Sequence, residues 1–378
     1  MNIERRIPMK FTCNTKSLND ACNNVMRAVS SKMTIPTIKG ILIECGSETL
    51  SLTGYDFEFG INTTLFATVA EPGAIVIDAK ILCDIIHKLA ADTVCIETNG
   101  TSVLITSGAA QYNINGIDAD EYPELPSVMG GYPLFINQAV LQKMVMQTLF
   151  AVAENDSAKV VHTGLKFEMT LNQLRLVGVD GYRLAVRTET IKYEGEDVTF
   201  IVPKKTIREL VKIIGTDDNK DISISVGKRH IIFEVENYSI ISRLLDGDFL
   251  DYNAAIPKTC STTVLINTHD AISCIERTIP VIENNSKNPI RCIFDNDEMR
   301  VSTVSALGRV VDYTHTNMSG NRVEIGFNSK YMIDALNAAD TDQVRIELNG
   351  PVSPVKVMPV NDERFLFLVL PMRLKNEA

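Results

Sequence analysis

The sequence holds no tryptophan, no Cys-x-x-Cys pair and no His-x-x-x-His or His-Glu-x-x-His spacing. It also lacks the glycine patterns that cradle phosphates or seat a nucleophile. Each absence removes a class of function. Without paired cysteines or spaced histidines, the eight cysteines (13, 22, 45, 83, 95, 260, 274 and 292) read as reduced residues, and neither metal nor cofactor is expected. No residue qualifies as catalytic: Asp118, Asp120 and Glu121, like Asp217 and Asp218, sit in turn contexts and read as solvated loops. Asp312 and His315 flank Tyr313 with no nucleophile beside them. The longest apolar run, Phe365 to Leu370, is too short to cross a bilayer, and Met1 to Lys10 lacks the apolar core of a signal peptide. A cytoplasmic protein is expected. Positive charge is short as well, 37 Lys and Arg against 47 Asp and Glu for a net charge of -10. That balance disfavours nucleic acid over the surface at large but leaves room for a basic stripe on one face.

What the chain does contain is a threefold repeat. Phe200-Ile-Val-Pro-Lys-Lys-Thr-Ile-Arg-Glu-Leu-Val-Lys-Ile-Ile214 reads as a short strand, a helix start at Pro203, and an amphipathic helix. Its apolar positions Ile207, Leu210, Val211 and Ile214 share one face. An offset of 125 residues carries this stripe back onto Leu82, Ile85, Ile86 and Leu89 and forward onto Met332, Ala335, Leu336 and Ala339. The same offset links Lys80, Lys205 and Lys330, each in the first turn of its helix, where the helix dipole disfavours a cation. A lysine placed there three times points to a negative partner outside the helix.

A second stripe precedes the first. The strand Met9 to Cys13, with Thr15 or Ser17 as N-cap, leads into a helix carrying Leu18, Ala21, Cys22, Val25, Ala28 and Val29. Its counterparts are Leu141, Met144, Val145, Thr148, Ala151 and Val152, then Ala271, Cys274, Ile275, Thr278, Val281 and Ile282. Alternating segments follow each copy: 40–44 with 49–53, 165–168 with 173–177, and 290–294 with 299–302. They predict antiparallel hairpins with one buried face. The expected fold is therefore α+β, three similar domains at 9–128, 131–258 and 261–374, each with two helices packed on antiparallel sheets. Short proline-bearing links join them, Tyr122-Pro-Glu-Leu-Pro126 with Gly130-Gly131, and Ala255-Ile-Pro-Lys258.

Two stretches depart from plain repetition. Leu176-Val-Gly-Val-Asp-Gly-Tyr-Arg-Leu-Ala-Val186 sets two glycines and an aspartate within a strand pattern. It predicts either a bulge or sharp turn presenting Tyr182 and Arg183, or an ordinary hairpin. The last apolar strand breaks at Pro371 and leaves Met372 and Leu374 beyond it, as a binding surface or as a packed end.

Together with Met9-Lys10-Phe11, Leu245-Asp-Gly-Asp-Phe249, Ile325-Gly-Phe-Asn328 and Leu370-Pro-Met-Arg-Leu374, the Val179-Asp-Gly-Tyr-Arg-Leu-Ala185 turn resembles the bacterial DNA sliding clamp family. These are the beta subunits, or processivity factors, of replicative DNA polymerases. The likeness runs from Met9 to Leu374. It implies a head-to-tail homodimer closed into a ring, with helices lining a hole that holds duplex DNA. Clamp loader, replicative polymerases and repair polymerases would dock on one face through short peptides. The implied peptide site comprises Val179, Gly181, Tyr182, Arg183, Leu184, Asn328, Tyr331, Val352, Pro354, Leu368, Val369, Leu370, Pro371, Met372 and Arg373. Tyr182, His162, Leu250 and Ala254 stand where the family pattern has His, Leu, Pro and Arg. Ring closure is implied between Tyr112 and Ile114 of one copy and Val281 and Ile282 of the other, though the latter two also continue a core stripe. Lys80, Lys205 and Lys330 would face the DNA, with Lys32, Lys143, Lys159 and Lys204 as further candidates. The rival is a repeat-built interaction scaffold that never touches DNA.

Overall fold

The computed structural model describes residues 8–30, 35–128, 132–154, 159–217, 219–282 and 289–374. Lys32, Asp218, the Gly130-Gly131 pair and residues 1–7 lie outside them. The first repeat runs β1 (Lys10–Asn14), α1 (Thr15–Val25), β2 (Gly40–Cys45), β3 (Thr49–Tyr55), β4 (Phe59–Phe66), β5 (Thr68–Glu71), β6 (Gly73–Asp78), α2 (Ala79–His87), β7 (Thr93–Asn99), β8 (Ser102–Ser107) and β9 (Ala110–Asn115). The second runs β10 (Leu134–Asn137), α3 (Gln138–Met146), β11 (Gly164–Thr170), β12 (Gln173–Val179), β13 (Arg183–Thr190), β14 (Val198–Pro203), α4 (Lys204–Ile213), β15 (Asp221–Val226), β16 (His230–Val235) and β17 (Tyr238–Arg243). The third runs β18 (Thr262–Asn267), α5 (Thr268–Glu276), β19 (Ile290–Asp295), β20 (Glu298–Ser305), β21 (Gly308–His315), β22 (Asn317–Gly320), β23 (Val323–Phe327), α6 (Ser329–Ala339), β24 (Gln343–Leu348), β25 (Val355–Pro359) and β26 (Phe365–Val369).

The chain divides into two compact units, Met1–Ala139 with Arg208–Leu244, and Val140–Ile207 with Leu245–Ala378. The first unit holds a five-stranded sheet, β5-β1-β7-β8-β9, and an eight-stranded sheet, β10-β15-β16-β17-β4-β3-β2-β6. The second holds a nine-stranded sheet, β14-β11-β12-β13-β26-β25-β24-β18-β22, and a four-stranded sheet, β21-β20-β19-β23. The middle repeat is thus shared out. Its β15–β17 hairpins extend the first repeat's sheet where β17 pairs β4, and its β11–β13 strands join the third repeat's sheet where β13 pairs β26.

The helix stripes are buried as their spacing dictates. Of the twelve apolar positions on the second helices, all but Leu89 and Val211 are buried. Within their own units α1 packs on α2 and β4, and α5 packs on α6. The two threonines interrupting the other stripe keep their hydroxyls satisfied inside the apolar face. Thr148 Oγ1 donates to the Met144 carbonyl at 2.8 Å, and Thr278 Oγ1 to that of Ile275 at 2.6 Å. Two glycines let these helix ends approach the sheet. A Cβ on Gly54 would lie 2.5 Å from the Val25 carbonyl oxygen, and one on Gly178 would lie 2.4 Å from that of Thr148.

Some local expectations are corrected. The cap of α1 is Asn14, whose Oδ1 accepts from the Ser17 amide at 2.9 Å; Thr15 is already helical. Pro203 is the last residue of β14, paired with Gly164, and α4 starts at Lys204. The first helices also end sooner than their stripes, with Ala28, Ala151 and Val281 in short 3-10 turns beyond them.

Candidate functional site

The departure at 176–186 is a hairpin closed by a tight turn, with Val179 opposite Leu184. Asp180 Oδ1 accepts from the amides of Tyr182 (2.9 Å) and Arg183 (3.0 Å), and Gly181 takes the left-handed φ of 88° that the turn requires. The turn presents Tyr182, 62% exposed, but not Arg183. The Arg183 guanidinium folds back onto Asp180 Oδ2 at 2.8 Å and onto Asp334 of α6. It lies 4.4 Å over the Tyr331 ring and 5.4 Å over that of Phe150. Arg183 is therefore a clasp between the hairpin and α6 rather than a group held out to solvent.

The chain's end completes the site. Leu368 pairs with Leu184 on β13, the Leu370 amide donates to the Tyr182 carbonyl at 2.8 Å, and the Met372 amide donates to Gly326 at 2.8 Å. A Cβ on Gly326 would lie 2.5 Å from the Met372 carbonyl oxygen, so the terminal segment is seated on β23 and only partly buried. Asn328 caps α6 by accepting from the Tyr331 amide at 3.3 Å. The Tyr331 and Tyr182 rings stand 6.1 Å apart. Burial, with Asp180 beside it, raises the Tyr331 pKa and keeps the phenol protonated.

Val179, Leu184 and Leu368 form one apolar cluster with Val177, Val186 and Tyr252. Phe249, Leu250, Ile256 and Leu366 pack against it. Leu250 thus supplies apolar wall, while Ala254 is exposed. The His162 ring stands edge-on to Phe249 at 5.5 Å. Burial and the nearby Lys159 lower its pKa, so it is neutral at pH 7. Pro354 and Val369 flank β25 and β26, and Val352 stands apart, 78% exposed in the turn ahead of β25. Tyr252 and Phe249 were missed by sequence reasoning, because nothing in an irregular segment marks which residues fold back onto a sheet.

Lys80, Lys205 and Lys330 all occupy the second position of their helices and all are exposed. Lys143 is exposed and paired with Asp340 at 3.0 Å, and Lys159 is exposed. Lys204 is not a lining cation. It is 8% exposed, and its Nζ donates to the Val152 carbonyl at 2.6 Å and to Glu154 at 2.8 Å. The side chain spans the fold because a lysine stem can be buried while its ammonium finds two oxygens.

Tyr112 and Ile114 are half-buried on β9, an edge strand paired only with β8. Ile282 packs against the third repeat's core, and the Val281 carbonyl accepts from Ser305 Oγ at 2.6 Å. Asp312 and His315 make no pair: Asp312 binds Arg277, and His315 stands edge-on to Tyr313 at 6.1 Å. Among the described residues no group of three or more His, Cys, Asp and Glu is placed to hold a metal, and no helix is long and apolar enough to cross a membrane.

Three family models match in succession: the DNA polymerase III beta subunit N-terminal domain at residues 9–126, its central domain at 135–251 and its C-terminal domain at 253–373. The beta sliding clamp of Bacillus subtilis is 31% identical over 379 residues, covering 97% of this chain and all of that one. That of Staphylococcus epidermidis is 32% identical over 376 residues, covering 97% and 99%. Among solved structures, the Bacillus subtilis sliding clamp superposes with a TM-score of 0.94 at 30% identity, covering 97% and 100%. The Pseudomonas aeruginosa DNA polymerase III subunit beta gives 0.92 at 26%, with the same coverage. Matched from end to end by relatives of its own length, with the helix pairs, shared sheets and terminal segment in the places described, the chain belongs to the family of bacterial beta sliding clamps.

Proposed function

We propose that this protein works in the cytoplasm as a non-enzymatic processivity clamp. Two copies close head to tail around duplex DNA, with the three repeats at 9–128, 131–258 and 261–374 as its domains. The observation that carries the ring is a pair of strands left over. Wherever two repeats join within a unit, the third hairpin strand of one (β4, β13) pairs with the last strand of the next (β17, β26). In this scheme β21 and β9 are the remaining members of those two classes, and each has a single partner. An open strand edge is a template for pairing. Leu307 and Val311, exposed apolar residues at and beside that edge, suit a covered surface.

Both internal joints give the same register for the seam. Ile240 lies opposite Ile61, and Phe367 opposite Ala185. Tyr112 pairs with Ile105 as Ile240 does with Phe233 and Phe367 with Val357. Val310 pairs with Thr303 as Ile61 does with Gly54 and Ala185 with Gly178. Either joint places Tyr112 of one copy opposite Val310 of the other, within reach of Val281 and Ile282. A heterologous contact of this kind closes only if the rotation closes.

Lys80, Lys205 and Lys330 line the hole, assisted by Lys143, Lys159 and Lys32, and contact phosphates without reading bases. Clamp loader and polymerases dock by short peptides in the groove of Tyr182, Leu184, Leu368 and Met372. The test is topological. Loaded on nicked circular DNA by a clamp loader, the protein should stay bound through a gel-filtration column, and linearising the DNA should release it. Equal retention on both forms would favour the scaffold reading. Deleting Leu370 to Leu374 removes one wall of the groove. Calorimetric binding of polymerase-derived peptides should fall by at least about a hundredfold, roughly 3 kcal/mol, while sedimentation still reports a dimer.

A further inference from the structure

The segment that walls one side of the apolar cluster, Asp246 to Ala255, contains no strand and only one 3-10 turn, Tyr252–Ala255. Something other than a backbone ladder must hold it. The structure supplies a polar platform on the sheet beneath. Glu168 of β11 accepts from Lys166 Nζ at 2.7 Å, from the Tyr252 hydroxyl at 2.8 Å and from Arg175 Nη1 at 3.5 Å. Arg175 in turn donates to the Tyr252 oxygen at 3.2 Å, to Gln173 Oε1 at 3.0 Å and to Thr188 Oγ1 at 3.3 Å. Lys166 Nζ sits 5.3 Å over the Phe249 ring and 5.2 Å over that of Tyr252, so one ammonium holds both aromatic residues from below. Tyr252 is 2% exposed, with its ring in the cluster and its hydroxyl in the platform.

We infer that Glu168, with Lys166 and Arg175, is a positioning residue for the peptide groove: it fixes Tyr252 and Phe249 and thereby the apolar wall against which a docked peptide packs. The inference rests on the groove proposed above. Glu168 need not touch the peptide, since its bonds run from the sheet to the connecting segment. Burial alone would raise its pKa, but the bonds from Lys166 and Tyr252 and the charges of Lys166 and Arg175 outweigh it and hold the carboxylate ionised. Three donors converging on one charged acceptor make the arrangement stiff, because loss of one partner leaves the others half-buried and unpaired.

The test uses the full-length dimer and a synthetic peptide, chosen as the tightest binder among overlapping segments of the replicative polymerase catalytic subunit. Tyr252→Phe removes only the hydroxyl, and Glu168→Gln only the charge. Each should weaken the peptide about fivefold to twentyfold. Amide exchange across 246–255 should accelerate about tenfold while β12, β13 and β26 exchange as before. Lys166→Met, which keeps the stem, should weaken binding similarly if Tyr252→Phe relaxes onto a water. The variant lacking Leu370 to Leu374 is run alongside. If that truncation abolishes binding but the point variants bind within twofold of the parent, the positioning role is overturned and the groove stands. If the truncation itself binds undiminished, the groove is overturned, and the positioning role falls with it.

Discussion

Tyr112→Asp together with Ile114→Asp should leave the protein monomeric at micromolar concentration and unable to stay on circular DNA. Both side chains are half-buried on β9, and the seam register sets them opposite Val310 and Gly308 on β21 of the partner. Closing the seam over two carboxylates would take them out of water among apolar neighbours with no cation to meet them. That costs several kcal/mol per charge, and even about 3 kcal/mol per seam is a hundredfold in dissociation constant. The fold should survive, because the exposed side of an edge strand carries no bond to lose. Sedimentation velocity and the circular-DNA assay both read the result. A sharper form tests the register. In the single variant Tyr112→Asp, adding Val310→Lys should restore part of the dimer, a directly opposite charge pair being worth about 0.2–1 kcal/mol. Thr314→Lys, two positions beyond the transferred pairing, should not. A persistent dimer in the double variant, or equal rescue from position 314, would refute this seam.

Reversing Lys80, Lys205 and Lys330 to glutamate should have the second largest effect. The three changes become six in a dimer, each replacing attraction to a phosphate with repulsion. Since every phosphate contact contributes about 0.9 to the slope of log affinity against log salt, losing several should flatten that slope by roughly 3–5 and lower affinity at 50 mM salt by at least about a hundredfold. All three side chains are exposed, so thermal stability should hardly move, and relief of cations at helix N-termini would raise it if anything. Lys204→Met is the informative contrast. It should leave the salt slope intact and lower stability by about 2 kcal/mol, because the Val152 carbonyl and Glu154 lose their donor. Unchanged loading and slope in the triple variant would exclude these lysines from the DNA path.

Those two adjacent lysines also mark how far the sequence could be read. Lys204 and Lys205 are alike as letters, but successive positions point some 100° apart on a helix, and one turns onto the Val152 carbonyl while the other faces water. The stripes, hairpins and their order were legible because each is set by contacts a few residues apart. The Asp180 turn was half legible: glycine and aspartate announced a turn, but the fate of Arg183 depends on Asp334, 151 residues away. The platform under Tyr252 was illegible for the same reason, since Glu168 and Tyr252 are 84 residues apart. Nor could hydrophobic period reveal that the middle repeat's strands would divide between two sheets. Period says which face of a strand is buried, and is silent on which strand lies beside it.

That division sets a timetable for synthesis. The eight-stranded sheet of the first unit closes through β17 against β4, a meeting in which Asn237 donates to Thr63 across 174 residues. While a ribosome adds those residues at about 5–20 per second, β4 waits roughly 10–35 seconds with a bare edge. Phe66, 91% exposed even in the finished fold, ends that strand. The nascent first repeat is therefore a natural client for a holdase at the tunnel exit, and arrest of translation before residue 243 should leave it prone to aggregate.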